Sequence, residues 1–230
     1  MQTLVIIPAF NEEENITETV SSLIPYLGKY HYLILNDCSN DNTKEILQEG
    51  NYNFIDLPIN LGIGGAIQTG YRYAETHGYE IVVQFDGDGQ HDPLFIDSLI
   101  EPILNGEADL VIGSRFLTGE GFQSTGIRRF GIQILQSVIK ICTNQVVTDS
   151  TSGFRAINNQ LVTFFAKNYA QDYPEPESIT AAIVNGYRII EIPVVMKERR
   201  KGKSSITNLK SIYYMIKVSL AIMLYKVIKK

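Results

Sequence analysis

The chain has 230 residues, 44% hydrophobic and 20% charged, enough for one sizeable α/β core and too apolar for wholesale disorder. Its two cysteines, Cys38 and Cys142, lie far apart without metal-ligand spacing, which excludes a disulfide framework or a zinc site and points to a reducing, cytoplasmic compartment. The net charge of −5 divides into −14 over residues 1–196 and +9 from Lys197 onward, so an anionic surface or ligand is expected near the C-terminus and no nucleic-acid partner.

Thr3–Ile7 reads as a buried, β-branched strand stopped by Pro8, too short and lacking the basic flank for a signal peptide. Asn11 is placed to cap a helix running to about Leu27, with Glu12, Glu13 and Glu14 in its first turn, where the macrodipole favours acids. Tyr32–Leu35 is a second strand with the polar exit Asn36-Asp37-Cys38-Ser39. Asp41 or Asn42 caps a helix over Thr43–Gln48, and Asn53–Leu57 is a third strand. The glycine-rich loop Asn60–Gly65 leads into a helix, Ala66–His77. Strand Ile81–Phe85 then delivers Asp86 and Asp88, separated by one glycine. Asp92-Pro93 opens a helix to Leu104, and Ala108–Gly113 is a fifth strand ending in Ser114-Arg115.

Beyond residue 115 the alternation loosens. Thr118–Thr125 is a Gly/Ser/Thr-rich loop, Phe130–Thr143 a helix, and Asp149–Arg155 a polar turn before another helix. Acids alternate with prolines in Tyr173–Glu177 before a helix to Asn185, and Arg188–Val195 is a strand. The β-α alternation predicts a mostly parallel sheet with helices on both faces, in which ligands sit at the carboxyl ends of the strands. Asn11, Asp37, Asp86, Asp88 and Arg115 all fall at those ends.

Two hard carboxylates at the spacing of Asp86 and Asp88 suit a divalent cation shared with a diphosphate; the competing reading is an acidic Asp-Gly turn. Gly62–Gly65 lacks the third glycine of a dinucleotide fingerprint, and Gly202-Lys203-Ser204 has Lys197 where a phosphate loop needs its first glycine. His31 and His77 read as surface residues, and His91 is notable only for adjoining the aspartates.

Taken together, Ile7-Pro8-Ala9-Phe10-Asn11-Glu12, Asn36–Thr43, Asp86–Pro93, Gly113-Ser114-Arg115 and Ser152-Gly153-Phe154-Arg155 resemble the inverting glycosyltransferases of family 2. With the basic stretch Arg199–Ser205, the resemblance is closest to the polyprenyl-phosphate (dolichol-phosphate-type) sugar synthases. It covers most of residues 1–205 and implies a GT-A-type, Rossmann-like fold. It also implies a nucleotide-diphosphate sugar donor (UDP- or GDP-linked), Mg²⁺ or Mn²⁺, and a polyprenyl phosphate acceptor. By the same resemblance Pro8, Ala9, Asn11 and Glu12 line the nucleotide pocket, and Asp37 binds base or ribose. Asp86 and Asp88 hold the metal with Gln90 beside them. Arg115 with Arg128 or Arg129 meets the phosphates, and Arg200 and Lys203 neutralise the departing diphosphate. One position departs from the family pattern: Asn36 stands where an aspartate is usual.

A lipid phosphate nucleophile is already anionic and needs positioning more than a base. A sugar hydroxyl of a growing surface polysaccharide would need a carboxylate, with Asp149 the leading candidate and Glu175 and Glu177 next. A catalytically silent binding subunit is disfavoured by the intact aspartate pair. Residues 206–230 are set apart as a C-terminal helix whose uncharged core, Val218–Tyr225, is short of the ~20 residues a span requires. Its tyrosines and lysines suit an interfacial helix on an anionic membrane, peripheral on the inner face of the cell membrane. The alternative is docking on its own domain, on a membrane-protein partner or on a second copy.

Overall fold

The computed structural model describes residues 2–121, 126–198 and 208–228. Seven strands form one sheet: β1 (Thr3–Ala9), β2 (His31–Asn36), β3 (Phe54–Asp56), β4 (Ile81–Gln84), β5 (Leu110–Ser114), β6 (Arg155–Asn158) and β7 (Ile189–Pro193). Their order is β3-β2-β1-β4-β6-β5-β7, with β6 antiparallel to both neighbours and every other pairing parallel. Among the described residues eight α-helices flank them: α1 (Ile16–Leu23), α2 (Thr43–Glu49), α3 (Gly62–Thr76), α4 (Ile96–Leu104), α5 (Gly126–Thr143), α6 (Asn159–Lys167), α7 (Pro174–Val184) and, after the last strand, α8 (Asn208–Ile228).

The continuous apolar runs of the inner strands follow from burial on both faces. In β1, Leu4 and Ile6 point with Leu33, Leu35 and Val82 into a core covered by α3, α5, α6, α7 and α8. Val5 and Ile7 point with Ile34, Ile81 and Val83 into a second core under α1, α2 and α4. This alternation assigns side chains to the two faces, while the shared direction of β1, β2, β4 and β5 brings the loops that follow them to one carboxyl edge of the sheet.

Three sequence expectations change. The first helix begins at Ile16 rather than at Asn11, because Asn11 takes a left-handed φ of 56° and its side-chain oxygen accepts from the Asn40 backbone N–H at 2.8 Å. Glu13 accordingly caps the neighbouring α2, accepting from Asn42 N at 3.0 Å, instead of sitting in a helical first turn. The Gly62–Gly65 stretch opens α3 itself. A side chain on Gly64 would collide with the Ala170 carbonyl, and its N–H donates to Gln171 O at 3.1 Å, so it serves backbone packing. The third change is β6, whose short Arg-Ala-Ile-Asn sequence follows the polar turn and pairs between β4 and β5.

Helix α8 is apolar on nearly every side. Val218 and Ile222 are buried in the core, while Ile216, Leu220, Met223, Leu224 and Val227 are exposed. It packs along α5 and α7. No helix among the described residues is long and apolar enough to cross a membrane.

Candidate active site

A cavity of about 520 Å³ opens at the carboxyl ends of β1, β2, β4 and β5. Its floor is built where strands stop. Pro8, Ala9 and Phe10 leave β1, and Glu12 is held behind them, its N–H on Thr43 Oγ1 at 2.9 Å and its carboxylate on Asn15 Nδ2 at 2.8 Å. Asp37 leaves β2, buried, and accepts from Leu61 N at 2.7 Å. Burial raises its carboxyl above the usual range, against the lowering pull of the Leu61 and Gly62 N–H groups. Asn60 and Gly62 complete this side of the cavity.

Asp86 and Asp88 follow β4, and both line the cavity. The turn is pinned by Gln90 N donating to Asp88 Oδ1 at 3.1 Å and by a left-handed Gly89. Behind it lies His91, buried and stacked on Phe154 with ring centroids 4.5 Å apart. Its Nδ1 accepts from Asp86 N at 3.0 Å, and its Nε2 is 3.5 Å from Asp86 Oδ2. Desolvation pushes the imidazole down to about 4, so at neutral pH it is an uncharged prop that orients Asp86. Opposite, Gly153 leaves room for that carboxylate: a Cβ there would come within 2.7 Å of Asp86 Oδ2 and 3.0 Å of Gln84 Nε2.

Arg115 leaves β5 and lines the cavity beside Thr151. Its Nε and Nη2 each lie 2.7 Å from an oxygen of Asp149, and Nη2 is 2.9 Å from Thr151 Oγ1. Asp149 is fully buried and is not part of the cavity wall. Its N–H and that of Thr148 are held by Glu191 of β7 at 2.8 and 2.7 Å. The Asp149 carboxylate is thus turned to Arg115 through both oxygens rather than to the cavity. The far wall comes from Gln171, Asp172, Tyr173 and Glu175 before and within α7, and from Gly131, Ile132, Tyr214 and Met215 on α5 and α8.

The structure therefore brings together Pro8, Ala9, Glu12, Asp37, Asp86, Asp88 and Arg115. Asn11 lies outside the cavity wall, where it ties the exits of β1 and β2. Gln90 also lies outside it, bonding through Nε2 to Lys197 O at 3.1 Å and so tethering the aspartate turn to the segment that leads into the basic stretch. Arg129 is exposed, its guanidinium 4.8 Å from the Phe116 ring centroid. The Arg128 side chain, Arg200 and Lys203 lie outside the described residues. Sequence reasoning missed His91 as a prop and Tyr173 as a wall residue. The signal for Tyr173 was the Tyr-Pro-Glu-Pro-Glu run, where Pro174 opens α7 and Tyr173 before it takes a left-handed φ of 53°.

Comparison with known proteins agrees with this architecture. Residues 4–163 match the model of glycosyl transferase family 2. The chain is similar to a UDP-N-acetylglucosamine–dolichyl-phosphate N-acetylglucosaminyltransferase of Methanococcus voltae, 31% identical over 209 residues, covering 82% of this chain and 83% of the relative. It is similar to the polyprenol monophosphomannose synthase of Mycolicibacterium smegmatis, 27% identical over 217 residues, 90% of this chain and 82% of the relative. Its fold is similar to glucosyl-3-phosphoglycerate synthase of Mycobacterium tuberculosis, solved with Mn²⁺, UDP and glucosyl-3-phosphoglycerate. The TM-score is 0.73 at 20% identity, over 98% of this chain and 79% of the other. The chain belongs to glycosyl transferase family 2, beside its polyprenyl-phosphate sugar synthases, and is a glycosyltransferase.

Proposed function

We propose that this enzyme transfers a hexose from a UDP- or GDP-linked sugar to a polyprenyl phosphate, with inversion, using Mg²⁺ or Mn²⁺. The observation that carries this reading is the row of groups along the sheet edge: Asp37, then Asp86 and Asp88, then Arg115, all facing one cavity. Asp37, with Asn60 and the β1 exit, suits the nucleoside. Asp86 and Asp88 would hold the cation, with the donor diphosphate and water completing its oxygen shell. Bound there, a divalent ion supplies charge stabilisation to the departing diphosphate.

Arg115 would meet acceptor or donor phosphate from a fixed direction, since Asp149 and Thr151 hold its guanidinium fork. An anionic lipid phosphate needs no proton removed, and the engagement of Asp149 with Arg115 favours it over a sugar-hydroxyl acceptor. Arg128, Arg200 and Lys203 keep their proposed phosphate roles.

A lipid acceptor calls for a membrane-facing surface, and α5 and α8 offer one. Phe130, Ile134 and Ile141 recur along the exposed face of α5, the last 76% exposed. On α8 the exposed row includes Leu220 at 54% and Val227 at 70%. A helix apolar on nearly every side calls for cover on its outer face as well. Gly131 and Tyr214, near the start of the same two helices, line the cavity, so the apolar strip runs to its mouth. In this reading residues 1–205 are the catalytic unit and 206–230 its membrane-facing helix, seated by its apolar outer face on the cytoplasmic leaflet.

The test is transfer from a panel of nucleotide sugars to a short polyprenyl phosphate with Mn²⁺ or Mg²⁺. Asp88→Ala should abolish product, and undiminished transfer by that variant would sink the metal assignment.

A further inference from the structure

We infer that Glu175 recognises a hydroxyl of the transferred sugar and so contributes to donor-sugar specificity; this rests on the nucleotide-sugar reading above. The sheet order supplies the argument. Asp37 follows β2 and Asp86 follows β4, so a nucleoside at the first and a diphosphate at the second point the sugar onward, over β6 and β5. Glu175 stands over that end. It lines the cavity from the first turn of α7, and its electrostatic neighbours are Arg155 at the start of β6, Asp86 after β4 and Arg115 after β5.

Other carboxylates at or behind the cavity are engaged by protein. Asp149 is held by Arg115, and Asp37 by Leu61 N. No side chain among the described residues hydrogen-bonds to the Glu175 carboxylate, which reaches its own backbone N–H. Arg155, a fully buried cation that acts on it electrostatically, instead donates to Ser152 O at 3.2 Å and Ser178 Oγ at 2.9 Å. Burial raises the Glu175 carboxyl above its usual range, with Arg155 and Arg115 opposing the rise and Asp86 adding to it. A neutral polyol satisfies this group without adding charge; a second phosphate beside it would be repelled. The ligand chemistry is therefore a carbohydrate hydroxyl donating to a carboxylate.

A hydrogen bond to a charged acceptor is worth about 10- to 100-fold in binding. The experiment is calorimetric titration of the Mn²⁺-loaded protein with UDP, GDP, UDP-glucose, UDP-N-acetylglucosamine and GDP-mannose. Wild type, Glu175→Gln and Glu175→Asp are compared; the last keeps the charge but withdraws it by one methylene. Both variants should hold the bare diphosphate within about twofold and lose about 10- to 100-fold toward the preferred sugar nucleotide. Equal losses toward both ligands, or no loss toward either, would overturn the inference. Unchanged donor affinity with lost turnover would overturn it in favour of proton transfer. A wild type that binds neither UDP nor GDP would overturn the nucleotide-sugar reading itself, and this inference with it.

Discussion

Asp149 grips Arg115 through both carboxylate oxygens, and Glu191 on the edge strand β7 holds the backbone that carries Asp149. The cavity-lining arginine is thus fixed by a relay of two acids, neither of which lines the cavity. Breaking a buried ion pair from one side leaves the other charge uncompensated, at a cost of about 3–5 kcal/mol. Asp149→Asn should therefore lower the melting temperature and reduce transfer to lipid phosphate and to a sugar hydroxyl by the same factor. Thermal melts with parallel assays on the two acceptors check this. Selective loss with the hydroxyl acceptor would restore Asp149 as a base.

Much of this was legible before any coordinates, for a physical reason. Strand exits carry polar residues that nothing in the core needs, so Asp37, Asp86, Asp88 and Arg115 stood out against the apolar runs preceding them. Asn11 was misread because Asn serves both as a helix cap and as a left-handed turn residue, and only the contact with Asn40 separates the two. Strand β6 was hidden because four residues starting with a buried arginine give no period to read. The Asp149–Arg115 pair spans 34 positions, a separation that no local pattern reveals. Its two partners were each noticed, but as separate actors.

Gly153 gives a sharper handle on the aspartate turn than removing an aspartate. A methyl group there would press on Asp86 from 2.7 Å while leaving its charge in place. Gly153→Ala should cut turnover at least about 10-fold, with the apparent Mn²⁺ requirement shifted upward, because the carboxylate must move to escape the clash. Titration of activity against Mn²⁺ measures both; wild-type values would mean that the turn yields without consequence.

Glu177 should make the stability of the folded chain pH-dependent. Desolvation raises its carboxyl to about 7, opposed by Lys217 on α8 and assisted by Asp172 before α7. Between the ordinary 4.5 and about 7, the folded chain keeps this proton and the unfolded chain does not. Stability from this group is complete below the lower value and declines as pH rises through the upper one. Melting temperature should fall from about pH 5 to about pH 8, and Glu177→Gln should flatten that decline and raise the melting temperature at the alkaline end. An unaltered slope in the variant would assign the decline to other groups.

The outer face of α8 can be tested without disturbing the face that holds it to the domain. Val218 and Ile222 are buried against α5, so removing the helix would strip the core as well as the surface. Leu220 and Leu224 lie one turn apart on the exposed side, where charge costs the folded chain little, within about 0.5 kcal/mol each. At a bilayer the same change is expensive, because each leucine forfeits roughly 1.5–3 kcal/mol of apolar burial. Leu220→Glu/Leu224→Glu should release the protein from phosphatidylglycerol-containing vesicles in a sedimentation assay, with turnover on a water-soluble acceptor retained. Vesicle binding that survives both glutamates would argue against this face, and a dimer of the wild type that they dissolve would assign it to a second copy of the chain.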